Sequence, residues 1–192
     1  MQRLATMMRA LVLVFATAVL AGLPASGVAD SGGTRVELGA LSSRTPGKWT
    51  EVPDPRPPRT GYFLLPRARG DKRDAEVILF HFRGGGGSAD ANIERWKSMF
   101  EAPKGKSIDD TTDVRRMKVA GRKVTYVDIR GTYLYKARPV DPDLRAERRP
   151  GHRMISVVFE TKNGPYFIRF VGPQKSVAKH KPAFDRWLKA FK

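Results

Sequence analysis

Between residues 152 and 171 the chain reads HRMISVVFET, then KNGP, then YFIRFV. Two runs of β-branched and aromatic residues thus flank Asn163-Gly164, a dipeptide that supplies the positive φ angles of a tight hairpin turn. The earlier runs RRMKV and RKVTYVDIRGTYLY flank Ala120-Gly121 and read the same way. Two consecutive hairpins imply an antiparallel sheet, which then needs apolar cover on its faces.

Two further strands precede the hairpins. Residues 60–65 (TGYFLL) stop at Pro66, which has no N–H to donate. Residues 75–82 (AEVILFHF) place Val77, Leu79 and His81 on one face and Ile78, Phe80 and Phe82 on the other. That pattern predicts a strand covered on both sides. A run of glycines then leads into a helix that Ser88 or Asp90 can cap. Ile93, Trp96 and Phe100 share one face of it, extended by Met99, and Pro103 and Gly105 mark its end. A closing helix over residues 176–191 buries Val177, Phe184, Leu188 and Phe191, with Trp187 beside them. The expected architecture is α+β: one antiparallel β-sheet of about five to seven strands flanked by two helices.

The rest of the chain is punctuated. Residues 30–59 are rich in Pro and Gly and are expected to be largely irregular, with Trp49 and Val52 docking on the body and residues 49–52 (WTEV) offering a short first strand. The PDPRPP run is expected to be an extended polyproline spacer rather than a ligand for another domain. Residues 136–151 (KARPVDPDLRAERRPG) form a polar insertion. Residues 60–192 make one domain.

Residues 1–29 carry Arg3 and Arg9, an apolar run over residues 10–23, and the small residues Gly27 and Ala29, the layout of a cleaved secretory signal peptide. The apolar run falls short of the ~20 residues that span a bilayer. The chain has no cysteine, which excludes a lipid anchor on that residue and any disulfide. A secreted or periplasmic protein is expected. Its formal charge is +17, from 36 basic and 19 acidic residues, and +15 without residues 1–29. Such charge attracts anionic surfaces and says nothing about fold.

The segments AEVILFHFRGGGGSADANIERWKSMF, KVAGRKVTYVDIRGTY and GPYFIRFVGP…FDRWLKAF resemble a group of uncharacterised exported bacterial proteins with the PsbP/Mog-type α/β/α sandwich. The resemblance covers residues 62–192, though not the arginine-rich stretch 138–153. It implies a binding or accessory role, since the better-known members serve as extrinsic photosynthetic subunits or protein partners. It brings no catalytic residue set.

The residues themselves offer little for catalysis. Arg83-Gly84-Gly85-Gly86-Gly87-Ser88 has the glycines and hydroxyl of a phosphate loop but lacks its lysine. A dinucleotide fingerprint through Gly84, Gly86 and Ala89, with Asp109 or Asp110 downstream, fails because hairpins follow instead of a parallel strand. A structural turn is the leading reading. Anion binding by Arg83, Gly85, Gly86, Gly87 and Ser88 is the alternative. His81, His152 and His180 are too scattered for a zinc site, no nucleophile elbow surrounds Ser88, and Asp109, Asp110 and Asp113 lack calcium-loop spacing. No metal and no cofactor is expected.

The basic residues are the firmest functional hint. Arg115, Arg116, Lys118, Arg122 and Lys123 cluster on the first hairpin. Arg138, Arg145, Arg148, Arg149 and Arg153 crowd the insertion. The expected function is an exported, non-catalytic, monomeric accessory or binding protein. Its basic patch would recognise a partner protein or an anionic envelope polymer, with no specific nucleic acid. The alternatives are an envelope hydrolase whose site assembles only in three dimensions, for which a deep pocket would have to hold two or more of His81, His152, Asp128, Asp109 and Glu160, and nucleic-acid or polyanion scavenging.

Overall fold

The computed structural model describes residues 32–53, 56–82, 85–137 and 145–192. The expected signal segment, Arg83, Gly84 and Arg138 lie outside the described residues. The elements run β1 (Arg35–Leu38), β2 (Leu41–Arg44), β3 (Thr50–Glu51), β4 (Arg59–Leu65), β5 (Ala75–His81), α1 (Ala89–Lys97), β6 (Phe100–Glu101), β7 (Thr112–Val119), β8 (Arg122–Tyr135), β9 (Glu147–Phe159), β10 (Tyr166–Pro173) and α2 (Gln174–Lys189). β1 and β2 form a separate hairpin. The others make an eight-stranded sheet in the order β3-β4-β5-β10-β9-β8-β6, with β7 also on β8. Every pairing is antiparallel. The α+β class, the antiparallel sheet and the two helices are those expected.

The sheet is doubly covered because its strands are apolar on both faces. One face meets α2. There Phe63, Val77, Leu79, Ile155, Ile168 and Phe170 pack with Val177, Phe184 and Leu188. Trp49 completes this layer, its ring 5.2 Å from Trp187 and 6.3 Å from Phe184. The other face meets α1. Ile93 and Trp96 lie on Val127, Ile129, Met154, Val158 and Phe167. α1 has only nine residues, so it covers part of its face. Beyond its end the sheet surface is open.

The structure departs from expectation at the element ends. α1 stops at Lys97, where Ser98 turns its hydroxyl back onto the Arg95 carbonyl at 2.8 Å. Phe100 is therefore buried from β6, paired with Tyr133, rather than from the helix. The described residues between 32 and 59 are less irregular than expected. The β1–β2 hairpin packs Val36 and Leu38 into the core, and Ser42 pairs both backbone groups with Lys192. Of the PDPRPP run, Asp54 and Pro55 lie outside the described residues; residues 56–59 form a turn, with Arg59 N–H donating to the Arg56 carbonyl at 2.9 Å, and not an extended segment. β9 begins at Glu147, so several residues assigned to the insertion are strand. Among the described residues, no helix is long and apolar enough to cross a membrane.

Candidate ligand-binding cleft

The open half of the α1 face carries the polar residues that the strands present between their apolar ones. Glu76 on β5 stands opposite Val171 on β10, and Arg169 on β10 stands opposite Ile78, so Glu76 and Arg169 are diagonal neighbours on one face. His152 projects from β9 and Tyr133 and Tyr135 from β8 onto the same surface. Over this floor leans the loop between β4 and β5, bringing Arg67, Lys72, Arg73 and Asp74. Together they enclose a cleft of about 330 Å³.

The rim is held by α2. Ser176, at the start of that helix, accepts from the Ala68 N–H at 2.9 Å. Its own N–H and hydroxyl donate to the Asp71 carboxylate at 2.9 and 2.6 Å. His180, one turn further on, places Nε2 2.8 Å from the Pro66 carbonyl. The cationic loop is thus fixed by buried polar contacts and does not need a ligand to order it.

Charge in the cleft is unequally satisfied. Arg73 pairs with Glu147 at 3.1 Å, Arg149 with the same carboxylate at 2.7 Å, and Arg67 with Asp74 at 3.7 Å. Arg149 also lies flat on Tyr135, 3.5 Å from the ring centre. Arg169 differs. It rests over the Phe80 ring at 5.4 Å, its Nε, like that of Arg149, is buried with no partner, and unlike Arg149 it has no carboxylate pair among the described residues. A guanidinium displays a rigid fork of donors, and leaving one unmet in a sheet is costly unless something arrives to accept. Burial, followed by Arg149 and Arg73, pushes the His152 pKa below its ordinary value, and its Nδ1 lies 3.1 Å from the Pro150 carbonyl. Burial and then the Glu76 carboxylate push the Tyr62 hydroxyl up. This arrangement favours an anion: cations around a cavity, one of them unpaired at its base.

The other sequence-derived candidates fall elsewhere. Gly85, Gly86, Gly87 and Ser88 form a tied turn. Ser88 accepts from the Ala91 N–H at 3.1 Å as the α1 N-cap, and buried Asn92 donates to the Gly86 and Ser88 carbonyls at 2.7 and 2.9 Å. A Cβ on Gly86 would stand 2.6 Å from the Phe167 ring, so glycine serves packing there. Arg115, Arg116 and Lys118 lie exposed on β7, near Arg122 and Lys123 at the start of β8. Arg145 and Arg148 are exposed, and Arg148 pairs with Glu101. Of the expected basic patch, only Arg149 enters the cleft. Arg153 is a correction: it is 8% exposed, with Nε 2.7 Å from Oδ1 of the wholly buried Asp128. Strand alternation turns it to the α2 face, away from solvent.

The residues a hydrolase would have to gather are dispersed. His152 lines the cleft. His81 stacks on Tyr166, with ring centres 4.2 Å apart, Asp128 is held by Arg153, and Asp109 pairs with Lys97 at 2.8 Å. Glu160 lines a separate depression beside the β7–β8 hairpin. Among the described residues, no group of three or more acidic or imidazole side chains is placed to hold a metal.

Arg169 and Glu76 were missed in the sequence because each is a single charge inside an apolar run, IRF and AEV. A lone charge in a doubly covered strand was the available signal, since it demands either a buried partner or an opening in the cover.

No family model matches the chain, and no curated protein matches it by sequence. Among solved structures it is similar to cyanobacterial PsbP (CyanoP) from Synechocystis sp. PCC 6803, with a TM-score of 0.49, 12% identity, and coverage of 86% of this chain and 95% of that one. A Pseudomonas aeruginosa protein of unknown function gives a TM-score of 0.44 at 13% identity, covering 82% and 94%. The Saccharomyces cerevisiae Ran-binding protein Mog1p gives 0.44 at 10%, covering 84% and 95%. Proteins of the PsbP and Mog types, which the sequence segments resemble, are thus among its structural neighbours. No function follows from likenesses at these scores.

Proposed function

We propose that this is an exported, non-catalytic binding protein whose cleft holds an anionic group, presented by an envelope component or by a partner. One observation carries the proposal: Arg169 sits unpaired at the base of a cavity ringed by Arg67, Lys72, Arg73 and Arg149. A carboxylate or phosphate entering there would receive the bidentate hydrogen bonds that Arg169 lacks. The scatter of His81, Asp128, Asp109 and Glu160 supports binding over hydrolysis. Export rests on the signal layout of residues 1–29.

The test is calorimetric titration of the protein lacking residues 1–29 with inorganic phosphate, a dicarboxylate and an acidic oligosaccharide. At least one should bind, with affinity falling as salt rises. Arg169→Met should weaken it at least tenfold, roughly the loss of one charge-assisted contact. Arg73→Ala should weaken it less, because Arg73 already has Glu147. Equal affinity in Arg169→Met, with an unchanged unfolding midpoint, would sink the proposal.

A further inference from the structure

Strand β7 is the long free edge of the main sheet. It pairs with β8 from Thr112↔Ile129 to Val119↔Arg122 without a register shift. Among the described residues, no other strand pairs with it. Outside that ladder, residues 113–119 make no backbone hydrogen bond among the described residues. On an edge strand, alternate residues point N–H and C=O away from the sheet, so β7 offers solvent a row of donors and acceptors. No proline and no bulge interrupts the row.

The side chains along this edge are cationic on both faces. The register turns Val114, Arg116 and Lys118 to the α1 side, where Lys123 lies beside Lys118. It turns Arg115 and Met117 to the α2 side, where they share a small recess with Lys189 and with Lys181, which is paired to Asp185. Arg115 is held by Asp113 and Arg116 by Asp90 at 3.0 Å. Both pairs are solvent-exposed, the kind that exchanges readily for another carboxylate. Among the described residues Lys118 and Lys123 have no carboxylate partner. Val114 is the one large hydrophobic side chain exposed among the described residues, at 38%.

We propose that β7 takes up an extended acidic segment of a partner protein as an added strand. Main-chain hydrogen bonds to alternate residues of 113–119 set its register. Acidic side chains on one of its faces meet Arg116 and Lys118, and those on the other meet Arg115. A small apolar residue covers Val114. A second copy of this chain does not fit the same edge, because it would lay Arg115, Arg116 and Lys118 against like charges. A polyanion without an extended peptide backbone would read the charge and leave the edge unpaired.

The experiment uses a fluorescein-labelled peptide repeating Glu-Glu-Val-Val, which when extended sets glutamates on both faces, and the same peptide N-methylated at alternate residues, which keeps charge but cannot pair on that edge. The parent peptide should bind by anisotropy, and its presence should slow hydrogen exchange at alternate amides of 113–119. The N-methylated peptide should not bind. Arg116→Glu with Lys118→Glu should weaken the parent at least tenfold, roughly the effect of reversing two close charges. Anion binding at the Arg169 cleft should be unchanged in that variant, so failure here is distinct from failure of the cleft reading. The proposal is overturned if the N-methylated peptide binds as tightly as its parent, if no amide of 113–119 gains protection, or if the protein alone associates through this strand.

Discussion

Asp128 and Arg153 meet inside the sheet, diagonal neighbours on β8 and β9, with Nε 2.7 Å from Oδ1 and Nη2 2.5 Å from Oδ2. The carboxylate is fully buried, and Arg130 approaches it from the rim at 3.5 Å. A buried pair of this kind is costly to half-remove, because the survivor keeps its charge without compensation. Asp128→Ala should therefore cost about 3–5 kcal/mol. Asp128→Leu combined with Arg153→Met should be close to neutral. Urea unfolding of the three proteins checks both outcomes. Equal losses in single and double variants would mean that the pair is not an energetic unit.

Gly86 lies at a φ of +127°, and a Cβ there would come within 2.6 Å of the Phe167 ring. Gly86→Ala should cost about 1–3 kcal/mol through backbone strain and displaced packing. Gly87→Ala, at a φ of +80° with the Asn92 amide at 3.5 Å and the Ala91 Cβ at 3.9 Å, both ordinary contacts, should cost about 1 kcal/mol. Thermal midpoints of the two variants should rank in that order.

Tyr126 donates to Asp185 at 2.9 Å beneath α2. Burial first, then the Asp185 carboxylate, push its hydroxyl pKa far above the ordinary phenol. The folded value exceeds that of the unfolded chain, about 10. The stabilisation is therefore complete below that pH and is lost as pH rises above it. Urea midpoints should fall between neutral and strongly alkaline solution, and Tyr126→Phe should flatten much of that fall. A Tyr126→Phe profile that tracks the wild type would show that another group governs alkaline stability.

His152 is shifted in the opposite sense, its pKa lowered by burial and by Arg149 and Arg73. Its contribution to stability is present above the unfolded value of about 6.5 and declines as pH falls through the lower folded value. An anion seated among those arginines would offset their field and raise the His152 pKa. Its imidazole proton resonance, titrated with and without phosphate, should move to higher pH when phosphate is present.

Much of the scaffold was legible because its signals are local. Asn163-Gly164 between apolar runs marks the β9–β10 turn, and Ser88 ahead of Ile93 and Trp96 marks the start of α1. The β1–β2 hairpin was not legible. RVEL and LSSR carry weak strand preference, and what holds them is tertiary: Val36 and Leu38 in the core and Ser42 paired to Lys192. The start of β9 hid behind polar residues because that end of the strand reaches into solvent, where alternation leaves no apolar mark. The cleft was invisible for a different reason. Arg169 and Glu76 are separated by about half of the chain, and only the β5–β10 register makes them neighbours.

That same register sets the order in which the molecule can be completed. β5 has β4 on one side from early in the chain, but its other side waits for β10, with Tyr166 pairing to His81. A chain appearing amino end first therefore carries Val77, Ile78 and Leu79 on a strand with one open flank until nearly its last residues arrive. Closing so wide a loop is slow, and an unpaired apolar strand is prone to stray association meanwhile. Refolding should accordingly be concentration-sensitive, and the final helix should gain its protection together with β5 and not before it.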